Sequence, residues 1–324
     1  MEKMKVKFRG VRGSYPTPKA EFLAYGGNTS CVEVNIGDRI IVLDAGTGII
    51  DLGSELRRNY ILSSDSQSQK EPIKLTLLLS HIHLDHIQGF PFFNPIYIPQ
   101  TQIGVWGLSV GKKTLKENLQ SIIYSKAFPL GIDDITCSIK IEDFKETSYL
   151  VIDKNSSQKI YTMEEFKNYQ KDEEDIIISA HKTFAHPKNG CLCFKIQYKG
   201  KTLIYATDKE SYVGSDKKFI EFAKDADLLI HDSQYTTQEY SSSISPRQGF
   251  GHSTFKMAIE TAKLAKVKQL ALYHYDPTYD DNFLKSIEDD ILKNNENIFF
   301  SREGLEVTLW NINNFVFNFS SFCI

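Results

Sequence analysis

The chain has 324 residues, 41% of them hydrophobic and 24% charged, with a formal net charge of −3. That length and composition support a large core that folds without staples, and the weakly acidic balance excludes the global basic footprint that long nucleic acids usually select. No apolar run is long enough to span a bilayer, and the charged segment Met1–Phe8 lacks a signal-peptide pattern, so the expected setting is the cytoplasm.

In chain order, β-branched runs predict strands at Val6–Phe8, Cys31–Ile36, Ile40–Leu43 and Leu75–Leu79, each followed by turn or polar residues. Gly37-Asp38 marks a hairpin, so the sheet is at least partly antiparallel. Gly46–Gly48 leads into a helix over Ile49–Arg58, and Ser63–Glu71 is a polar loop. Residues 94–175 are expected to include a cap over the site, with Trp106 either stacking on a base or filling the core, and 153–175 a charged surface insertion.

A second series of strands is predicted at Ile176–Ser179, Cys191–Gln197, Thr202–Ala206, Leu228–Ile230, Gln269–Tyr273 and Glu306–Leu309. After Gly251-His-Ser-Thr254, residues Phe255, Ala258, Ile259, Ala262 and Ala265 keep the spacing of an amphipathic helix. The aromatic segment Asn311–Ile324 reads as a terminal strand on the core or as a partner-binding tail. Without a linker or an internal repeat, 1–324 is one domain of α/β class, two packed mixed sheets covered by helices. The five cysteines are an odd, scattered set, read as reduced thiols.

The densest chemistry is His81-Ile-His83-Leu-Asp85-His86, directly after the strand Leu75–Leu79 and its terminal Ser80. A strand end is a rigid support from which a loop can turn several side chains to one point, and imidazoles with a carboxylate suit zinc or manganese. These residues do not complete two metal sites. Further candidates stand where later strands end: His186 in Phe184-Ala-His-Pro187, Asp208 in Tyr205-Ala-Thr-Asp208, and His274 in Leu272-Tyr-His-Tyr-Asp276.

This order of residues resembles the metallo-β-lactamase superfamily, in which His-x-His-x-Asp-His is followed by a His, an Asp and a last His. The resemblance begins at Arg9-Gly-Val-Arg-Gly-Ser14 and Gly26-Gly-Asn-Thr-Ser-Cys31, runs through Leu43-Asp-Ala-Gly46, and is nearest to the phosphodiesterase branch of tRNase Z, the PhnP-type enzymes and the phage anti-Pycsar cyclic-nucleotide phosphodiesterases. It implies a four-layer αββα sandwich, a homodimer and two divalent ions, zinc or else manganese. On that basis His81, His83 and His186 hold one ion, Asp85, His86 and His274 the other, and Asp208 bridges them.

Asp44 matches the family aspartate that orients a ligand histidine, or else shapes the Gly46–Gly48 turn. His231 and Asp232, at another strand end, are expected to orient His252 or a ligand. Gly251-His252-Ser253-Thr254 resembles the motif supplying the leaving-group proton donor in the tRNase Z branch, because an alkoxide leaves a phosphodiester poorly unless protonated. The expected catalytic set is therefore His252, Asp85 and Asp232.

tRNase Z inserts a long arm at a junction that here reads as the tight hairpin Ile196-Gln-Tyr-Lys-Gly-Lys-Thr202. With the acidic balance this favours a small substrate, a 3′,5′-cyclic nucleotide opened to the mononucleotide, over a tRNA 3′-processing endonuclease. A catalytically silent binding member ranks third, since all seven ligand positions are filled.

Overall fold

The structure, a computed structural model, describes residues 3–63, 70–124, 128–187, 189–212 and 216–309 and the backbone of strand 317–319. Strand β1 (Met4–Gly10) shows how the layers arise: Met4, Val6 and Phe8 are buried while Lys5 points to solvent, so one face is committed to the interior. It pairs antiparallel with β2 (Cys31–Ile36), which turns at Gly37-Asp38 into β3 (Arg39–Leu43) as expected. Strand β4 (Lys74–Leu79) then runs parallel to β3 and is buried along Leu75–Leu79, the apolar pattern of a strand covered on both faces.

Residues 94–175, expected to include a cap, contribute strands to both sheets. β5 (Gln102–Gly107) and β6 (Ser138–Asp143) continue the first sheet in parallel, and β7 (Ser148–Ile152) and β8 (Gln158–Thr162) form an edge hairpin of the second. The rest of the second sheet is β9 (Ile176–Thr183), β10 (Cys191–Tyr198), β11 (Lys201–Ala206), β12 (Leu228–Asp232), β13 (Leu270–Tyr273) and β14 (Ile298–Phe300), while β15 (Leu305–Leu309) and β16 (Phe317–Phe319) return to the first. Each sheet has eight strands. The strand expected in the aromatic C-terminal segment is β16; the other residues of 311–324 and most of the polar loop, 64–69, lie outside the described residues.

Helices α1 (Ile49–Leu62) and α3 (Leu115–Ile122) cover the outer face of the first sheet through Ile49, Leu52, Leu115 and Leu119. The short α2 (Leu84–Ile87) and α4 (Met163–Lys167) lie between them in sequence and after β8. The second sheet is covered by α5 (Lys217–Ala223) and α7 (Phe255–Ala265), with α8 (Asp281–Leu292) packed beside β14 and the single turn α6 (Thr237–Tyr240) ahead of α7. Phe8, Ile41 and Leu78 of one sheet share a core with Phe194, Ile196 and Leu203 of the other. This is the four-layer sandwich the resemblance implies. Strands β3 to β6 and β11 to β14 are parallel runs, and their carboxyl ends open at one edge. Ligand sites of open α/β sheets form outside such ends.

Candidate metal centre

The residues singled out in the sequence sit where these strands stop. Asp44 follows β3, His81 follows β4 after Ser80, Asp208 follows β11, Asp232 ends β12, and His274 follows β13. His83 is the N-cap of α2, which carries Asp85 and His86. Asp44, Asp208 and His274 have φ of 60°, 49° and 66°, a left-handed backbone that non-glycine residues adopt at a cost of about 1–3 kcal/mol and hold where function needs the side chain turned. Three strand ends therefore bend the same way, two to aim a ligand atom inward and Asp44 to support one from behind.

The donors converge in two groups. Ligand atoms of His81, His83, His186 and Asp208 lie within 4.8 Å of one another, and so do those of Asp85, His86, His274 and Asp208. Asp208 divides its oxygens between them: Oδ2 is 3.6 Å from His81 Nε2 and 3.5 Å from His186 Nε2, while Oδ1 is 3.0 Å from His86 Nε2 and 3.2 Å from His274 Nε2. Asp85 Oδ2 faces His86 Nε2 at 3.2 Å and His274 Nε2 at 3.4 Å and accepts the Ser14 amide at 2.8 Å.

Orientation comes from behind. Asp44, fully buried, accepts from the Ser80 amide at 2.7 Å and from the Ser80 hydroxyl, His86 Nδ1 and the Tyr205 hydroxyl at 2.8 Å each. The Ser80 hydroxyl, having donated to Asp44, accepts from His81 Nδ1 at 3.0 Å. Both histidines are thus held as Nδ1–H tautomers with Nε2 lone pairs turned to the centre. Ser80 and Tyr205 are functional residues the sequence reading missed. Ser80 adjoins the histidine motif and Tyr205 shares a strand end with Asp208, the only signals available.

The donor chemistry fits divalent ions. Nε2 of His81, His86 and His274 is buried without a hydrogen-bond partner, costly for a polar atom unless something else takes the lone pair. Burial lowers His81 far below an ordinary imidazole and His186 to about 4, so both offer neutral nitrogen. Burial opposes ionisation of Asp208, but the surrounding histidines, His274 first, hold it well below the usual carboxylate range. His86 moves the other way: burial would lower it, and the crowding carboxylates of Asp208, Asp85 and Asp44 raise it well above its ordinary value. Buried negative charge in such excess calls for a cation, which two divalent ions would supply.

His252 stands beside this centre. Its Nδ1 is 2.7 Å from Asp232 Oδ2 and 3.9 Å from Asp208 Oδ2, and Asp232 Oδ1 accepts the amides of Ser253 and Gln234 at 3.0 and 3.2 Å. Burial works against a charged ring here, yet Asp232, with Asp208 and Asp85, raises His252 to about 9. The rest of the motif fixes the loop. Ser253 donates its hydroxyl to the Lys209 carbonyl at 2.6 Å, and Thr254 caps α7 by accepting the Met257 amide at 3.1 Å. Gly251, at φ 91°, packs where a Cβ would stand 2.3 Å from His186 Nδ1, so no other residue fits. Glu210, also unforeseen, is buried and accepts the Gly249 and Gly251 amides at 2.8 and 2.9 Å and the Tyr240 hydroxyl at 2.6 Å, tying down the loop ahead of His252.

One expectation is corrected and one open alternative is decided. His231 does not reach His252 or a ligand: its Nδ1 donates to the Asp232 carbonyl at 2.7 Å, and its ring lies against Phe219 of α5. Neighbours on a strand point to opposite faces, so Asp232 enters the centre and His231 faces away. Trp106 is fully buried between the sheets with its Nε1 on Gln158, leaving no face for a base. Residues 94–175 supply strands, as described above. His181 stays outside the centre, paired with Glu146 at 3.1 Å and Asp216 at 3.2 Å.

Comparison with known proteins agrees with this geometry. The profile of the Beta-lactamase superfamily domain matches residues 39–275, and the chain belongs to that superfamily, in its metallo-β-lactamase-fold branch. It is similar to the ribonuclease Z of Thermoplasma acidophilum, 27% identical over 301 residues that cover 86% of this chain and 88% of the relative. Among solved structures, the metallo-β-lactamase fold protein YhfI from Bacillus subtilis superposes with a TM-score of 0.61 at 18% identity, covering 95% of this chain and all (100%) of that one. Human tRNase Z, short form, does so with a TM-score of 0.54 at 18% identity over 94% of this chain and 98% of that one. At that identity the two structures speak for the fold.

Proposed function

We propose that the protein is a metal-dependent phosphodiesterase of the ribonuclease Z type, an endonuclease acting at the 3′ side of precursor tRNA. The His252–Asp232 pair, held 3.9 Å from the carboxylate shared by both donor groups, carries the reading. A departing ribose alkoxide leaves poorly unless protonated, and this pair is a proton donor placed beside the centre. The similarity to relatives named ribonuclease Z, which extends over most of both chains, supports RNA over the cyclic nucleotide favoured by the sequence reading.

His81, His83 and His186 would hold one ion, Asp85, His86 and His274 the other, and Asp208 both. Divalent ions held there, zinc by this nitrogen-rich donor set, would supply a nucleophile from water at neutral pH and offset phosphate charge. The chain does the rest. Asp44 and Ser80 keep the imidazole lone pairs aimed inward. With Nδ1 on Asp232, His252 presents Nε2 to deliver a proton to the leaving oxygen.

One observation favours a second reading. β10 ends at Tyr198 and β11 begins at Lys201, so the junction where tRNase Z carries its arm is a tight turn, which suits a small cyclic diester. Cleavage of a precursor tRNA and of 3′,5′-cyclic nucleotides by the metal-loaded protein, compared as kcat/KM, decides between them. A higher value for precursor tRNA is expected; a higher value for any cyclic nucleotide would install the second reading, and no hydrolysis of either would remove both.

A further inference from the structure

Phe184 is 77% exposed, two residues before His186, and an aromatic side chain left in water beside a reactive centre calls for a reason. It lines two cavities. One, of ≈ 340 Å³, is also lined by Tyr212, itself 56% exposed, and by Lys209 and Lys218; the other, of ≈ 410 Å³, reaches His186 and is lined by Asn189 and Gly190. The two share Lys182, Phe184 and Ala185, so Phe184 borders both. Each volume falls in the range of small-ligand sites, about 300–1,000 Å³.

Charge follows the same line. Lys182 lies with Nζ 5.1 Å from the Phe184 ring centroid, and among the described residues its ammonium meets no carboxylate. The acidic side chains nearby have partners of their own: Glu146 takes His181 and the Lys182 backbone amide, Asp216 takes His181 and Lys209, and Glu210 takes the Gly249 and Gly251 amides. An exposed aromatic ring that borders two cavities, with a cation held over it, matches two bases and the phosphate that joins them.

We propose that Phe184 is a stacking wedge for two consecutive unpaired nucleotides, one base in each cavity, with their shared phosphate over Lys182 and the strand continuing past His186 into the metal centre. This rests on the phosphodiesterase reading and specifies its substrate as RNA that is single-stranded where it enters the site, because only an unpaired base can splay onto a side chain. A phenyl ring has no hydrogen-bonding group, so the wedge tolerates any base.

The test measures binding rather than turnover. Metal-loaded protein carrying His252→Ala to slow cleavage is titrated against a fluorescein-labelled ten-nucleotide single-stranded RNA, and Kd is read by anisotropy. Adding Phe184→Ala is expected to weaken binding roughly 5- to 150-fold, with Phe184→Trp restoring it, and the same RNA annealed to its complement should bind more weakly. Lys182→Ala should reduce the slope of log Kd against log salt by about 0.7, the contribution of one single-strand phosphate, which keeps the test open if Phe184→Ala does not fold. Equal affinity of the alanine and tryptophan variants, or an unchanged salt slope, would overturn the wedge. Should the binding pattern hold while the metal-loaded wild type hydrolyses no phosphodiester, the wedge stands and the function proposed above falls.

Discussion

Asp44 accepts four hydrogen bonds from three residues and so decides which nitrogen of His86 faces the centre. Asp44→Asn keeps the shape but places an amide group where several donors already point. Metal affinity measured by competition with a chromophoric chelator is expected to fall about 10- to 100-fold, the usual effect of removing a ligand's support. His252 is tested through the leaving group. His252→Ala should slow RNA cleavage by roughly 10²–10⁴-fold and bis(p-nitrophenyl) phosphate far less, since p-nitrophenolate leaves without a proton. Equal losses on the two substrates would assign His252 a structural role.

Elements hold these residues by their ends. Helix α7 begins with Thr254 accepting the Met257 amide, and that cap fixes the chain two residues after His252. Thr254→Ala should cost about 1 kcal/mol in urea unfolding, with a loss in kcat as His252 loosens. Strand β12 shows a second consequence of element geometry. It buries His231 completely, and burial lowers that imidazole to about 4 from 6.5, although its bond to the Asp232 carbonyl opposes the shift. Between those values an unfolded chain takes up a proton that the folded one refuses, so this contribution is complete above pH about 6.5 and is lost as pH falls toward 4, about 3 kcal/mol in all. Replacing His231 with Gln should flatten the fall of Tm between pH 6.5 and 4.5; an unchanged slope would mean that other groups control it.

At the scale of the molecule, the centre joins the two sheets. Asp44, His81 and His86 come from the first, and Asp208, Asp232 and His274 from the second, around a concentration of buried carboxylate. Ions bound there stabilise the folded state by mass action and relieve that repulsion. Chelation is expected to lower Tm by several degrees and readdition of zinc to restore it. Elemental analysis should find about two ions per chain, and an identical Tm with and without chelator would count against a centre shared by both sheets.

What the amino-acid order determined on its own was local or repetitive. Alternating and continuous apolar runs set most strands, because burial on one face or two imposes a pattern that the order of residues reveals. His81, His83, Asp85 and His86 were legible because four donors in a six-residue stretch just after a strand have few other uses, and His186, Asp208 and His274 because each follows a strand in the same order as a known family. Strands β5 to β8 were not legible: Gln102–Gly107 carries glycines, and Ser138–Asp143 and Gln158–Thr162 are edge strands whose exposed charges resemble a surface loop. Only the tertiary structure decided that Asp208 gives one oxygen to each histidine group and that Ser80 and Tyr205 converge on Asp44, since those partners are far apart in sequence or differ only in direction. It also separated His231 from Asp232. Adjacent residues on a strand face opposite ways, and which way is inward depends on the sheet packed against them.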